Sequence, residues 1–86
     1  MVKYEINFTV SANKELNKLD KLVSKRVIFK IEGLSCTPFP SGVKKLQGEN
    51  LFRIRIGDYR VIYSVNSNNK KIIIYRIRHR KDVYKK

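Results

Sequence analysis

Phe52-Arg53-Ile54-Arg55-Ile56-Gly57-Asp58-Tyr59-Arg60-Val61-Ile62-Tyr63 is the stretch on which the reading of the chain turns. Apolar and basic residues alternate through its first half, which is the period of a strand with one buried face. Gly57-Asp58 is a composition suited to a two-residue hairpin turn. Such a turn sets Ile56 opposite Tyr59, Arg55 opposite Arg60, Ile54 opposite Val61 and Arg53 opposite Ile62. One face then carries Phe52, Ile54, Ile56, Tyr59, Val61 and Tyr63, and the other carries Arg53, Arg55 and Arg60. A further strand is predicted at 71–78 beyond a three-residue turn at Ser67-Asn68-Asn69. That turn pairs Asn66 with Lys70, puts Ile73, Tyr75 and Ile77 on the apolar face, and sets Arg76 opposite Arg60, with Arg78 joining the arginine face.

Working outward, Val2, Tyr4, Ile6 and Phe8 alternate with polar residues and predict a first strand. Ser11 is a candidate N-cap for a helix carrying Ala12, Leu16, Leu19 and Val23 on one face. Ser24 is the candidate cap of a second helix, whose Val27, Ile28, Ile31 and Leu34 share a face. Cys36-Thr37-Pro38-Phe39-Pro40-Ser41-Gly42 reads as an extended connector too short to separate domains. The expected fold is therefore α+β in a single domain over residues 1–86: an N-terminal strand, a helical hairpin, and an antiparallel β-meander packed on the helices.

The chain has 20 Lys+Arg against 7 Asp+Glu, a formal net charge of +13. Residues 51–86 hold eleven basic residues against Asp58 and Asp82, a net +9, and residues 1–50 hold nine against five acids, a net +4. Six of the seven arginines lie in the second part. Arginine is the residue of forked phosphate recognition, so this field points to a polyanion, and nucleic acid is the abundant one. Like charges directly opposite one another destabilise a sheet, so Arg55, Arg60 and Arg76 call for something anionic between them. Asp58, Glu49 and Asp82 are too few to neutralise six arginines. One Cys and one His exclude an intrachain disulfide and a conventional zinc site, and no cofactor is called for. No apolar run approaches a membrane span and the start lacks the apolar stretch of a signal peptide, so a soluble, cytoplasmic protein without a membrane partner is expected.

Lys45-Leu46-Gln47-Gly48, the 52–63 hairpin, and Ile77-Arg78-His79-Arg80-Lys81-Asp82-Val83-Tyr84 together resemble the RelE/ParE toxin superfamily, as does the order of elements. The resemblance covers nearly the whole chain. It implies a toxin of a type II toxin–antitoxin pair, held in check by a RelB-like antitoxin. In the RelE branch, the better match, it implies a ribosome-dependent endoribonuclease that cleaves mRNA in the A site by attack of a 2′-hydroxyl on the adjacent phosphate, with ribosome and mRNA as partners. Carried onto this sequence, the active residues are Arg55, Arg60, Arg80 and Tyr84, with Lys45, Arg53, Arg76 and Arg78 as RNA-binding residues. Arg78 is the alternative to Arg80.

Arginines suit the stabilisation of a phosphorane-like transition state, and Tyr84 suits stacking on a base or presenting its hydroxyl. The general base is left open. Some relatives carry lysine where this chain has Arg55, and arginine stays protonated. His79 is the residue type suited to proton transfer near neutral pH, but register parity points it to the core side with Ile77. Two other readings stand beside the nuclease: a ParE-like inhibitor of DNA gyrase, and a non-catalytic RNA-binding domain.

Overall fold

The computed structural model describes residues 3–46, 50–79 and 81. The elements run β1 (Glu5–Phe8), α1 (Val10–Asn17), α2 (Lys21–Gly33), β2 (Lys44–Lys45), β3 (Phe52–Ile56), β4 (Tyr59–Asn66) and β5 (Lys71–His79). They build one five-stranded sheet in the order β1-β5-β4-β3-β2. β3 to β5 form the expected antiparallel meander, β2 adds an unpredicted antiparallel edge to β3, and β1 adds in parallel to β5, Glu5 beside Lys71 through Phe8 beside Ile74. The α+β class and the order of strand, helices and meander agree with the sequence reading.

The first hairpin follows its predicted register: Ile56 opposes Tyr59, Arg55 opposes Arg60, Ile54 opposes Val61 and Arg53 opposes Ile62. Gly57 has φ +59°, and it is the only one of the two turn residues at positive φ. That is the glycine-requiring first position of a type II′ turn, whose twist matches the flanking strands. Ile54, Ile56, Val61 and Tyr63 are buried on one face, where Ala12, Val27, Ile31 and Leu34 of the helical layer complete the core.

The second hairpin departs from expectation twice. Its turn has four residues, Ser67–Lys70, so Asn66 pairs with Lys71 and not Lys70. Lys70 takes the left-handed region at φ 55°, and the Asn66 side-chain oxygen accepts the Asn69 N–H at 3.0 Å. One added turn residue exchanges the faces of everything beyond it. Ile72 and Ile74 are therefore the fully buried residues, in place of Ile73 and Tyr75. A β-bulge then follows: Tyr63 opposes Ile74 while Ile62 opposes Arg76, which leaves Tyr75 as the extra residue. The bulge restores Ile77 to the core, and Arg78, not Arg76, stands opposite Arg60.

The helix break also falls elsewhere than the spacing predicts. Thr9 caps α1, its Oγ1 accepting from Ala12 N–H at 3.1 Å, and Asp20 occupies the cap position of α2. Thr9 wins over Ser11 because its own N–H is held by the Ile74 carbonyl at 3.0 Å, in line with the β1 ladder, which leaves it extended at the mouth of the helix. Ser24 lies inside α2, its hydroxyl donating to the Lys21 carbonyl. Among the described residues no helix is long and apolar enough to cross a membrane.

Tyr63 ties the connector to the core. Its hydroxyl donates to the Pro38 carbonyl at 2.7 Å, and its ring joins Phe52 and Phe39 in an aromatic row with centroid separations of 5.9 and 4.9 Å. Burial pushes its phenol up to about 12. Tyr63→Phe should lower stability by about 1 kcal/mol, seen as a fall in Tm of roughly 4–8 °C at this chain length. The phenol ordinarily ionises near about 10, so the native state favours the neutral form. Its contribution is complete below about pH 10 and is lost as pH rises towards 12. Thermal melts from pH 8 upward should therefore show the wild type losing its advantage over Tyr63→Phe in that interval.

Candidate nucleic-acid interface

Alternation along β3, β4 and β5 sends one set of side chains to the helices and the other to the open face of the sheet. On the open face Arg55, Arg60 and Arg78 form one rung across three adjacent strands, and Arg53, Ile62 and Arg76 form the next. Lys44 extends the second rung, because β2 sets it opposite Arg53. Lys45 stands opposite Phe52, so by register it belongs to the other side and does not join this face. Arg80 and Tyr84 lie outside the described residues.

The arginines are not equally exposed. Arg55 is exposed and Arg53 half-buried, whereas Arg60, at 9% exposure, is the buried charged residue of the described chain and is engaged with neighbouring groups. A buried guanidinium is held in place and partly stripped of water, which strengthens its pull on an arriving anion. Beyond Arg53 the outer edge of β3 has no strand beside it in the β2 pairing. Here a cavity of about 860 Å³ opens between the sheet and the C-terminal half of α2, lined among others by Lys44, Arg53, Arg55 and Arg60 and by Lys30 of the helix. Five cationic side chains thus converge on one concave surface. The sequence reading passed over Lys30, because its helical spacing marks it only as a residue off the apolar stripe.

The anion expected among the arginines is supplied from an unpredicted direction. Glu15 of α1 accepts from Arg76 Nε at 3.1 Å and Nη2 at 2.8 Å, and its other oxygen accepts the Ile77 backbone N–H at 2.7 Å. Arg78 Nε is 4.0 Å away. β1 pairs with β5 only as far as Ile74, so α1 lies along the edge that remains, and Glu15 takes the place of a missing strand's carbonyl. Burial pushes the Glu15 carboxyl up, but the Arg76 hydrogen bonds, the Ile77 N–H and the charges of Arg76 and Arg78 outweigh it, and the group sits below the usual carboxylate range. The Glu15 hydrogen bonds likewise raise Arg76. Arg76 is therefore held by Glu15, while Arg55 is exposed where it lines the cavity.

His79 pairs with Tyr59, on the core side as parity requires, its ring meeting the Tyr59 ring edge-on at 5.1 Å and its Nδ1 accepting the Lys81 N–H at 3.1 Å. It does not approach the arginine rung. Among the described residues no group of three or more His, Cys, Asp or Glu side chains comes together.

Because the carboxyl of Glu15 lies below its ordinary value, its contribution to stability is present above about pH 4.3 and is lost as pH falls through the folded value. Glu15→Gln should lower stability by about 1 kcal/mol at pH 7. The gap between the two melting temperatures should close as the solution is taken from pH 5 towards pH 2.

The family described as ParE toxin of type II toxin-antitoxin system, parDE, matches residues 6–84. Toxin RelG of Mycobacterium tuberculosis is 33% identical over 86 residues, covering 96% of this chain and 98% of that protein. Among solved structures, the archaeal RelE–RelB complex from Pyrococcus horikoshii OT3 contains a chain 36% identical with a TM-score of 0.82, covering 91% of this chain and 96% of that one. The toxin–antitoxin complex RelBE2 from Mycobacterium tuberculosis contains one 32% identical with the same TM-score of 0.82, covering 92% and 93%. The matched region runs through both helices and every strand that carries the arginine rung, so the chain belongs to the RelE/ParE superfamily of type II toxins and is a RelE-type toxin of a toxin–antitoxin system.

Proposed function

We propose that this toxin is a ribosome-dependent endoribonuclease that cuts mRNA in the ribosomal A site. The observation that carries the reading is the rung Arg55–Arg60–Arg78, three arginines opposed across adjacent strands, of which Arg55 and Arg60 line the basic cavity. That arrangement is poor for stability and suits a phosphate that gains charge during reaction. In the proposed step the 2′-hydroxyl oxygen attacks the adjacent phosphorus as its proton passes to water, the bond from phosphorus to the 5′-oxygen breaks, and the departing oxygen takes up a proton from water, leaving a 2′,3′-cyclic phosphate and a 5′-hydroxyl. Arg60 and Arg78 would grip the non-bridging oxygens, and Arg55, Arg53 and Lys44 the flanking phosphates. The resemblance assigns this role to Arg80, which lies outside the described residues; the present reading gives it to the alternative, Arg78, because Arg78 stands opposite Arg60.

Arginine stays protonated and cannot accept the 2′-hydroxyl proton. The work assigned to the rung is alignment and charge stabilisation, with the ribosome forcing the mRNA into line. Activity on free RNA should accordingly be weak. The RelB-like proteins in the solved complexes of relatives supply the model for a partner: an antitoxin bringing acidic and apolar side chains to a chain of net charge +13.

A second reading is inhibition of DNA gyrase through the same basic surface, favoured by the description of the matched family as ParE toxins. Primer extension on a defined mRNA programmed into purified ribosomes separates the two. New ends inside the A-site codon are expected with the wild type. Arg55→Ala and Arg78→Ala should lower their yield on the order of 100-fold, with circular dichroism spectra unchanged. Arg60→Lys keeps a cation at the buried position and tests the forked grip there without leaving an empty site. Intact mRNA together with loss of gyrase supercoiling activity would overturn the nuclease reading in favour of the second.

A further inference from the structure

The arginine face does not end at its arginines. Along β4 the open-face positions run Arg60, Ile62, Ser64, Asn66, and beside the last two a groove of about 730 Å³ opens between β4, β5 and the segment before β3. Its lining includes Tyr75, Ile73, Ser64, Asn66, Asn68 and Asn50, and none of the residues lining it is charged. A field of amides and hydroxyls around one aromatic ring, next to a dense block of cations, is an unusual neighbour.

Tyr75 is there because the added turn residue moves it off the core side, and the bulge that follows keeps Arg76 on the open face as well. At 36% exposure Tyr75 lines the groove with Ile73 and Ser64. The bulge is held from the other side: Thr9, the cap of α1, donates its hydroxyl to the Tyr75 carbonyl at 3.0 Å. Bulges re-aim side chains, and this one sets a ring in sequence beside Arg76 on the same face.

We infer that this groove is a nucleobase subsite, in which Tyr75 stacks on an unpaired base of the same RNA strand whose phosphates lie on the Arg55–Arg60–Arg78 rung. The inference rests on the reading of that rung as an RNA site. The chemistry divides as a nucleotide does: charged phosphate to the cations, uncharged base to the aromatic and amide groups. Ser64 offers a donor and an acceptor, and Asn66, whose carbonyl oxygen is taken by Asn69, offers its NH₂ group. From Arg60 to Ser64 is four residues of strand, about 13 Å, a distance that a short run of extended nucleotides spans. The subsite would read bases flanking the cut and so contribute to sequence preference.

Equilibrium binding of a short single-stranded RNA carrying 2-aminopurine, followed by fluorescence across a series of salt concentrations, tests this. Tyr75→Ala is expected to weaken binding roughly tenfold and abolish the quenching of one base, Tyr75→Phe to restore both, and Tyr75→Leu to restore neither. The salt dependence of Tyr75→Ala should match the wild type, whereas Arg55→Ala should reduce the slope by about one. If Arg55→Ala behaves in this way but Tyr75→Ala binds like the wild type, the subsite is overturned and the phosphate site stands. If Tyr75→Leu binds as well as the wild type, stacking is overturned; a change of oligomeric state on removing the ring would then mark a protein contact. If the wild type binds no RNA, or Arg55→Ala is indistinguishable from it, the subsite and the reading beneath it fail together.

Discussion

Side-chain alternation along three antiparallel strands is the constraint on which this molecule depends, and a turn of two residues sets its phase. With Gly57 in the left-handed region the hairpin closes without slack, so Ile54 and Val61 face the helices and Arg55 and Arg60 necessarily face away together. Burial of the isoleucine face holds the guanidinium groups side by side against their mutual repulsion. The apolar core thus supplies the stability that the opposite surface lacks. A one-residue slip would bury the arginines and expose the core, so the register is defended by both faces at once.

The edges of the sheet follow from the same geometry. β1 is too short to cover β5, and Glu15 completes the job with a side chain, bonding a backbone N–H and two cations with one carboxylate. This makes α1 more than a layer over the core. It is the part of the structure that supplies a carboxylate to the arginines of the last strand, Arg76 by hydrogen bonds and Arg78 at 4.0 Å.

Much of this is legible in the chain. The 52–63 hairpin is read correctly to the residue because strict alternation and a glycine-containing turn leave one solution. The second hairpin is not, because Ile72-Ile73-Ile74 carries no alternation and so no phase, and because Ser67, Asn68, Asn69 and Lys70 suit turns of three or four residues equally. The two one-residue shifts cancel in parity, which is why Arg76, Ile77, Arg78 and His79 keep their expected faces while Ile73 and Tyr75 do not. Leu16, Leu19 and Val23 keep a helical spacing straight through the break at 18–20, so the pattern hides a boundary that Asp20 and the extended Thr9 impose. Glu15 is invisible in sequence because its partners lie 61 and 62 positions away.

That separation bears on how the molecule comes into being. The first strand and first helix find their partners only in the last strand: Glu5 with Lys71, Thr9 with Ile74, Glu15 with Ile77. Contacts so distant in sequence are the late ones in folding, since the intervening loop must be closed before they reward it. During synthesis β1 and α1 therefore wait for their partners until β5 has emerged. The opposition of Arg60 and Arg78 cannot form before then either. The order in which the chain is made delays assembly of the arginine surface until β5 has been synthesised.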